Sequence, residues 1–282
     1  LGGAYSPPFF LKVMIEIQIP KGKKAYFASD FHLGFPNHTE SLEREKHIVS
    51  WLSQVQKDAA AIFLLGDLFD FWFEYARVVP KGFIRFFGKL AEMHDQGIEI
   101  HVFVGNHDLW LKTYLKEEIG AKMYYQPTEF NFTIVGKSMR ALLGHGDGLG
   151  PGDYGYKCLK RIFVNPISTF LFSILHPDLG VRLAHFWSNT RKSVAISFGD
   201  VVFNSETDFI LNYVKDKFKL DEENDLVKTA YVFGHRHHPI AFPLGDKSTY
   251  YNLGDWFSPN FKNAFYLVLA DEKFEFKHCT NM

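Results

Sequence analysis

A chain of 282 residues is long enough to bury a large core, as one large domain or two smaller ones. Its formal net charge of -1 withholds the broad basic field of a polyanion-binding surface, so no nucleic-acid partner is expected. The two cysteines, Cys158 and Cys279, form no CxxC pair and fit a reducing compartment.

Residues 1–10 supply neither a basic n-region nor an unbroken apolar run, and are expected to be a poorly ordered arm. That arm and a first strand region occupy 1–23, ahead of a domain over 24–282. Strand-like apolar runs follow at Lys24 to Ser29 and Ala60 to Leu65, separated by Ile48, Trp51, Leu52 and Val55 at helical spacing. Phe83, Phe86, Phe87 and Leu90 repeat that spacing before a third run, Ile98 to Val104. The alternation predicts a layered α/β domain with a buried sheet. Further runs lie at Phe130 to Val135, Met139 to Leu143 and Thr229 to Phe233. Between them, about 148–205, the rhythm breaks at Pro151, Pro166 and Pro177 and reads as a helical insertion. The last runs, Thr249 to Leu253, Ala264 to Leu269 and Lys273 to His278, have no helix between them. They predict antiparallel strands, hence a mixed sheet or two sheets. No window reaches the roughly 20 apolar residues of a spanning helix, so a soluble protein is expected, with peripheral membrane contact left open.

Most of the apolar runs end in a polar block. In order these are Asp30-Phe31-His32, Gly66-Asp67 through Asp70, Gly105-Asn106-His107-Asp108, Gly144-His145-Gly146-Asp147 and Gly234-His235-Arg236-His237. Alone, DxH or GD is commonly a turn. Together the blocks supply carboxylates, imidazoles and one amide, a donor set suited to two divalent cations of the Mn, Fe or Zn kind. Such a pair acidifies water and neutralises phosphoryl charge, the chemistry of phosphate ester or anhydride cleavage. In an extended chain Asp30 and His32 share one face, and Asp67 is placed to bridge the two ions. His107 is expected to meet substrate as donor or leaving-group acid. Asp108 is expected either to orient that imidazole or to cap a helix over Leu109 to Leu115.

The series resembles the calcineurin-like metallophosphoesterase family, whose pattern runs DxH, GDxxD, GNH with Asp or Glu, a GH block and GHxH. The resemblance implies a four-layered sandwich of two mixed β-sheets flanked by helices, here with a helical lid insertion. It implies that Asp30, His32, Asp67 and His237 hold one metal and that Asp67, Asn106, His145 and His235 hold the other, with catalytic His107 and Asp108.

The insertion narrows the substrate. It opens with Asp153-Tyr154-Gly155-Tyr156 and Lys157, Lys160 and Arg161, turns apolar from Ile162 to Leu175, and ends polar and basic at Ser188, Asn189, Arg191 and Lys192. A basic, aromatic lid suits a charged head with acyl tails or an anionic membrane surface; packing onto the domain is the other reading. With Gly66 to Phe69 and the Asp153 to Tyr156 element, the chain is similar to the UDP-2,3-diacylglucosamine pyrophosphatases of bacterial lipid A biosynthesis. That similarity implies cleavage to UMP and 2,3-diacylglucosamine 1-phosphate at the cytoplasmic face of the inner membrane, commonly with Mn²⁺. It also implies substrate contacts from Asn106, Asp153, Tyr156, Lys160, Ser188, Asn189, Arg191 and Lys192. The best-known branch carries Arg where this chain has His107. A soluble phosphoesterase acting on a nucleotide, phosphodiester or phosphoprotein is therefore the alternative.

Overall fold

The computed structural model describes residues 14–150, 154–182 and 203–279. The first half carries β1 (Ile15–Ile19), β2 (Lys24–Ala28), α1 (His38–Val55), β3 (Ala59–Leu64), α2 (Ile84–Asp95), β4 (Glu99–Phe103), α3 (Tyr114–Ile119), β5 (Lys122–Tyr124), β6 (Thr128–Ile134) and β7 (Lys137–Leu143). The second half adds α4 (Tyr154–Phe163), α5 (Pro166–Ile174), α6 (Phe209–Glu223), β8 (Ala230–Phe233), β9 (Pro239–Leu244), β10 (Ser248–Leu253), β11 (Phe265–Ala270) and β12 (Lys273–His278).

The strands form two six-stranded mixed sheets, ordered β1-β6-β7-β8-β10-β9 and β12-β11-β2-β3-β4-β5. In the second sheet β2, β3, β4 and β5 run parallel, and β11 and β12 join antiparallel beside β2. Side-chain alternation builds the layers. Ala25 and Phe27 of β2 and Ala61 and Phe63 of β3 face the other sheet, where they meet Phe130 and Phe132 of β6. Tyr26, Ala28, Ile62 and Leu64 face the opposite way, onto Ile48, Trp51, Leu52 and Leu90 of α1 and α2. Both faces of these strands are buried, which is why their sequences read as unbroken apolar runs. On the outside of the first sheet, α6 packs Ile210, Leu211 and Val214 against Tyr231, Phe233 and Tyr250. The result is helix, sheet, sheet, helix, as the resemblance implied.

Two strands and one cap differ from the sequence reading. β9, which opens on Pro239, is an edge strand that accommodates Pro239 and Pro243 because one side of its backbone has no strand to pair. The three-residue β5 was too short to register as a run. No helix follows Asp108: α3 begins at Tyr114 with Thr113 as its N-cap residue, so Asp108 is not a helix cap.

Candidate metal centre

The polar blocks meet where β2, β3, β4, β7 and β8 end, in the crevice that open α/β sheets leave outside their strand termini. Three groups of side chains converge there, one of them His32, Asp70 and His107, and the other two share a residue. Asp30, His32, Asp67 and His237 present ligand atoms within 4.8 Å of one another, and so do Asp67, His145 and His235. Asp67 belongs to both groups. Asn106 joins the second, its Oδ1 lying 3.1 Å from His145 Nε2. Asp30, His32, Asp67 and His145 are buried, whereas Asn106, His107, His235 and His237 are half-exposed. The cluster thus has a closed floor and an open face.

The backbone that delivers these groups is not the extended chain expected for Asp30 and His32. Asp30 (φ 56°) and His32 (φ 44°) are both left-handed, as are Asp67 (φ 52°), His235 (φ 71°) and His237 (φ 57°). Asp and His tolerate that region better than β-branched residues, and such strain concentrates at functional sites. Cross-bonds between loops hold it. Asp30 N–H donates to Gly66 O at 3.0 Å, His32 N–H to Asp67 O at 2.9 Å, and Gly234 N–H to His145 O at 2.9 Å. Close approach of the backbones requires glycine: a Cβ on Gly66 would sit 2.7 Å from His145 Nδ1 and 2.9 Å from Gly105 N.

The donor chemistry fits a divalent cation. His145 Nδ1 donates to Leu65 O at 2.8 Å, so in the neutral ring Nε2 carries the lone pair and faces Asp67 Oδ2 at 3.3 Å and Asn106. Asp67 Oδ1 accepts the His107 N–H at 2.8 Å, but its buried Oδ2 has no hydrogen-bond donor. Lone pairs facing one another in a buried space call for a positive charge. The titration behaviour expresses the same field. Burial disfavours the charged His145 ring, yet attraction to Asp67, Asp30 and Asp147 outweighs it and raises the group to about 10, so that a proton on Nε2 supplies the positive charge that a bound cation would replace. Burial, with repulsion from His145, pushes His235 down to about 3. Burial also lowers His32 to about 4, keeping both rings neutral and able to ligate. Asp67 stays well below the usual carboxylate range because the pull of His145 and His107 exceeds the burial cost.

His107 lies at the open face with 23% of its side chain exposed, its ring centroid 4.7 Å from that of His32. Its Nδ1 donates to the Asp70 carbonyl at 2.9 Å, which leaves Nε2 to meet a ligand. Orientation of His107 was expected from Asp108, and that is corrected: the Asp108 carboxylate accepts Leu68 N–H at 2.8 Å and Gly105 N–H at 2.6 Å, tying the second block to the third. Buried beside Asp67, Asp108 is raised to about 7, chiefly by desolvation and then by Asp67. Tyr156 and Lys160, the expected substrate contacts, both reach Asp147, with the Tyr156 hydroxyl 2.5 Å from Asp147 Oδ2 and the Lys160 ammonium on the same oxygen. Asp153, Ser188, Asn189, Arg191 and Lys192 lie outside the described residues.

Two supports were missed. Arg44 of α1 is buried and donates from Nη1 to the carbonyls of Phe31 (3.2 Å) and His32 (2.6 Å), bracing the first block. Its signal was visible: a charged residue on the stripe that carries Ile48, Trp51 and Val55. Phe257 stands over the site, its ring centroid 4.9 Å from those of His32 and His237. It is aimed by Asp255, whose Oδ1 accepts the N–H groups of Phe257 and Ser258. Gly254-Asp255 closes an apolar run just as the other blocks do.

Comparison with known proteins places this geometry in context. The calcineurin-like phosphoesterase family model matches residues 23–239. A UDP-2,3-diacylglucosamine hydrolase from Porphyromonas gingivalis is 36% identical over 252 residues, covering 84% of this chain and 92% of that protein. One of the same name from Haemophilus influenzae is 27% identical, covering 90% of this chain and 98% of its own. A solved dimetal phosphatase from Danio rerio aligns with a TM-score of 0.43 at 11% identity, over 91% of this chain and 95% of that one.

Proposed function

Because this chain belongs to the calcineurin-like phosphoesterase family, we propose that it hydrolyses the diphosphate of UDP-2,3-diacylglucosamine to UMP and 2,3-diacylglucosamine 1-phosphate. The carrying observation is the 36% identity to a hydrolase of that name across 84% of the chain. The site chemistry agrees with it. Asp30, His32, Asp67 and His237 would hold one divalent cation, and Asp67, Asn106, His145 and His235 a second, with Mn²⁺ as the favoured ion. When bound, the ions supply Lewis acidity and neutralise phosphoryl charge. The chain's own groups do the rest. Asn106 and His107 lie at the open face where phosphoryl oxygens would enter, and Phe257 walls one side against water. The bond from His107 Nδ1 to the Asp70 carbonyl fixes the imidazole so that Nε2 of the protonated ring can hand its proton to the departing oxygen, leaving the neutral ring with Nδ1–H still on Asp70.

The insertion supports the acylated substrate and a peripheral membrane contact. Phe172 of α5 stacks on Trp110, and the Trp110 indole N–H donates to Phe163 O at 2.9 Å, anchoring the insertion beside the site. Ile162, Val164, Ile167, Phe170, Leu171 and Ile174 remain exposed next to Lys157 and Arg161. Such a face receives acyl chains or lies in a lipid interface. No helix among the described residues is long and apolar enough to cross a membrane. Incubation with Mn²⁺ and UDP-2,3-diacylglucosamine should release UMP, followed by chromatography. No UMP, alongside turnover of a simple phosphodiester, would sink this reading and favour the soluble phosphoesterase.

A further inference from the structure

A cleft of about 210 Å³ opens beside the second ligand group. Its lining brings together His145 of that group, Tyr125, Gln126 and Pro127 from the turn between β5 and β6, and Asp147 and Lys160. The volume is below the about 300–1,000 Å³ of pockets that enclose a whole drug-sized ligand, so it suits one ring system of a larger molecule. Its lining is also selective: none of the exposed apolar residues of α4 and α5 contributes to it. Tyr125 is unusual for a large ring in being 60% exposed. It is nonetheless held, because its hydroxyl donates to Lys112 O at 3.0 Å, which fixes the ring and leaves a face uncovered. Next to it stands the exposed side-chain amide of Gln126, a donor and an acceptor together. The Lys160 side chain, 32% exposed and paired with Asp147, brings an ammonium to the same lining.

A planar face, an amide and a cation, gathered with His145 in the lining of one cleft, match a nucleoside monophosphate: base, base edge and phosphate. We propose that this cleft seats the uridine end of the diphosphate, with the base stacked on Tyr125, its edge met by Gln126 and the adjoining phosphate drawn by Lys160. The assignment rests on the substrate reading above and divides the molecule: nucleotide in the cleft, acyl chains on the apolar face of the insertion. Base stacking on an aromatic side chain is sequence-tolerant and lost on truncation to alanine.

The test uses the full chain with Mn²⁺ and two readouts, UMP binding by calorimetry and UMP inhibition of bis(p-nitrophenyl) phosphate hydrolysis. Tyr125→Ala should weaken UMP in both by about tenfold, the middle of the range for a lost base stack. It should leave kcat and KM for the base-free reporter unchanged, and Tyr125→Phe, which keeps the ring, should restore UMP binding. UMP binding that is unaltered in Tyr125→Ala, absent in the wild type, or lost together with reporter turnover would overturn the cleft assignment. If UMP binding behaves as expected but UDP-2,3-diacylglucosamine is not cleaved, the lipid reading fails and the cleft stands as a nucleotide site.

Discussion

A single added methyl group should disable the centre without touching any ligand. Gly105 passes directly over the shared carboxylate: a Cβ there would collide with Asp67 Oδ1 and the Asp67 amide nitrogen, and would stand 2.9 Å from Asp67 Cγ. Ordinary contact begins near 3.4 Å, so even Cγ has to give by about 0.5 Å and the oxygen by more. The strain cannot be relieved cheaply. Asp67 Oδ1 is held by His107 N–H, and Gly105 N–H is held by Asp108 at 2.6 Å. Overpacking of this kind costs about 1–3 kcal/mol of stability, and a misplacement approaching 1 Å at a reacting centre costs on the order of 100-fold in rate. Gly105→Ala should therefore lower Mn²⁺-dependent turnover of bis(p-nitrophenyl) phosphate by about 10- to 100-fold while the protein still melts cooperatively. Gly88→Ala is the control: Gly88 lies in α2 with nothing within 4 Å of an added Cβ, so it should keep full activity and gain about 0.4–1 kcal/mol. A folded Gly105→Ala protein with wild-type turnover would refute the claim that this close approach positions Asp67.

Other outcomes test separate parts of the structure. Asp67→Asn should lose bound manganese, measured by elemental analysis, and nearly all turnover, because one amide oxygen replaces a carboxylate that faces both ligand groups. Lys228→Met should cost about 3 kcal/mol in urea unfolding, since it strands Asp221, only 2% exposed and 2.7 Å from the Lys228 ammonium; a loss within error would show that Tyr231 and Lys217 suffice. Burial works to raise Asp221, but Lys228 and Tyr231 outweigh it and hold the carboxylate below its usual range. Its contribution should be complete above about pH 4 and fade as pH falls through the depressed value, a slope that Asp221→Asn should remove from the acid-unfolding profile. Phe170→Ser should weaken turnover of acylated but not deacylated substrate, whereas Phe172→Ser should impair both, since Phe170 is exposed and Phe172 packs on Phe71, Phe73 and Trp110.

That last contrast shows where sequence stops being informative. The run from Ile162 to Leu175 is mostly apolar, with only Asn165, Ser168, Thr169 and Ser173 between its apolar residues, so one sequence offers no way to separate rings that anchor from rings that face outward; the positions of Phe71, Phe73 and Trp110 divide them. The central strands were legible for the opposite reason. Phe63 and Leu64 are buried on opposite faces of β3, and a run this short, closed by Gly66-Asp67 and carrying Ile and Phe, reads as a buried strand. Strands β5 and β9 lacked that signature because edge strands tolerate proline, short length and polar residues. At the site, residue types and order were readable, but backbone geometry was not. An Asp-x-His triplet gives no hint that both ends turn left-handed, because the main-chain partners that pay for the strain, Gly66, Asp67 and Leu68, lie some 35 residues away.

Those distant partners explain why the centre should survive loss of its ions. Main-chain bonds join the first block to the second through Asp30 and His32 and the fourth to the fifth through Gly234, and the His145 ring of the fourth donates to Leu65 O at the start of the second. The fifth closes onto the first, as His235 N–H donates to the Asp30 carboxylate at 3.0 Å. Asp108 ties second to third, and Arg44 fastens the first to α1. A structural zinc site supplies folding energy outright and collapses when the metal leaves. Here the loops are already connected in a ring, above a core that continues between two full sheets. Chelation with EDTA should consequently abolish turnover while leaving the far-ultraviolet dichroism intact, and added Mn²⁺ should restore activity without a refolding step. Global unfolding on chelation would mean that the ions, rather than this ring of hydrogen bonds, hold the five loops in place.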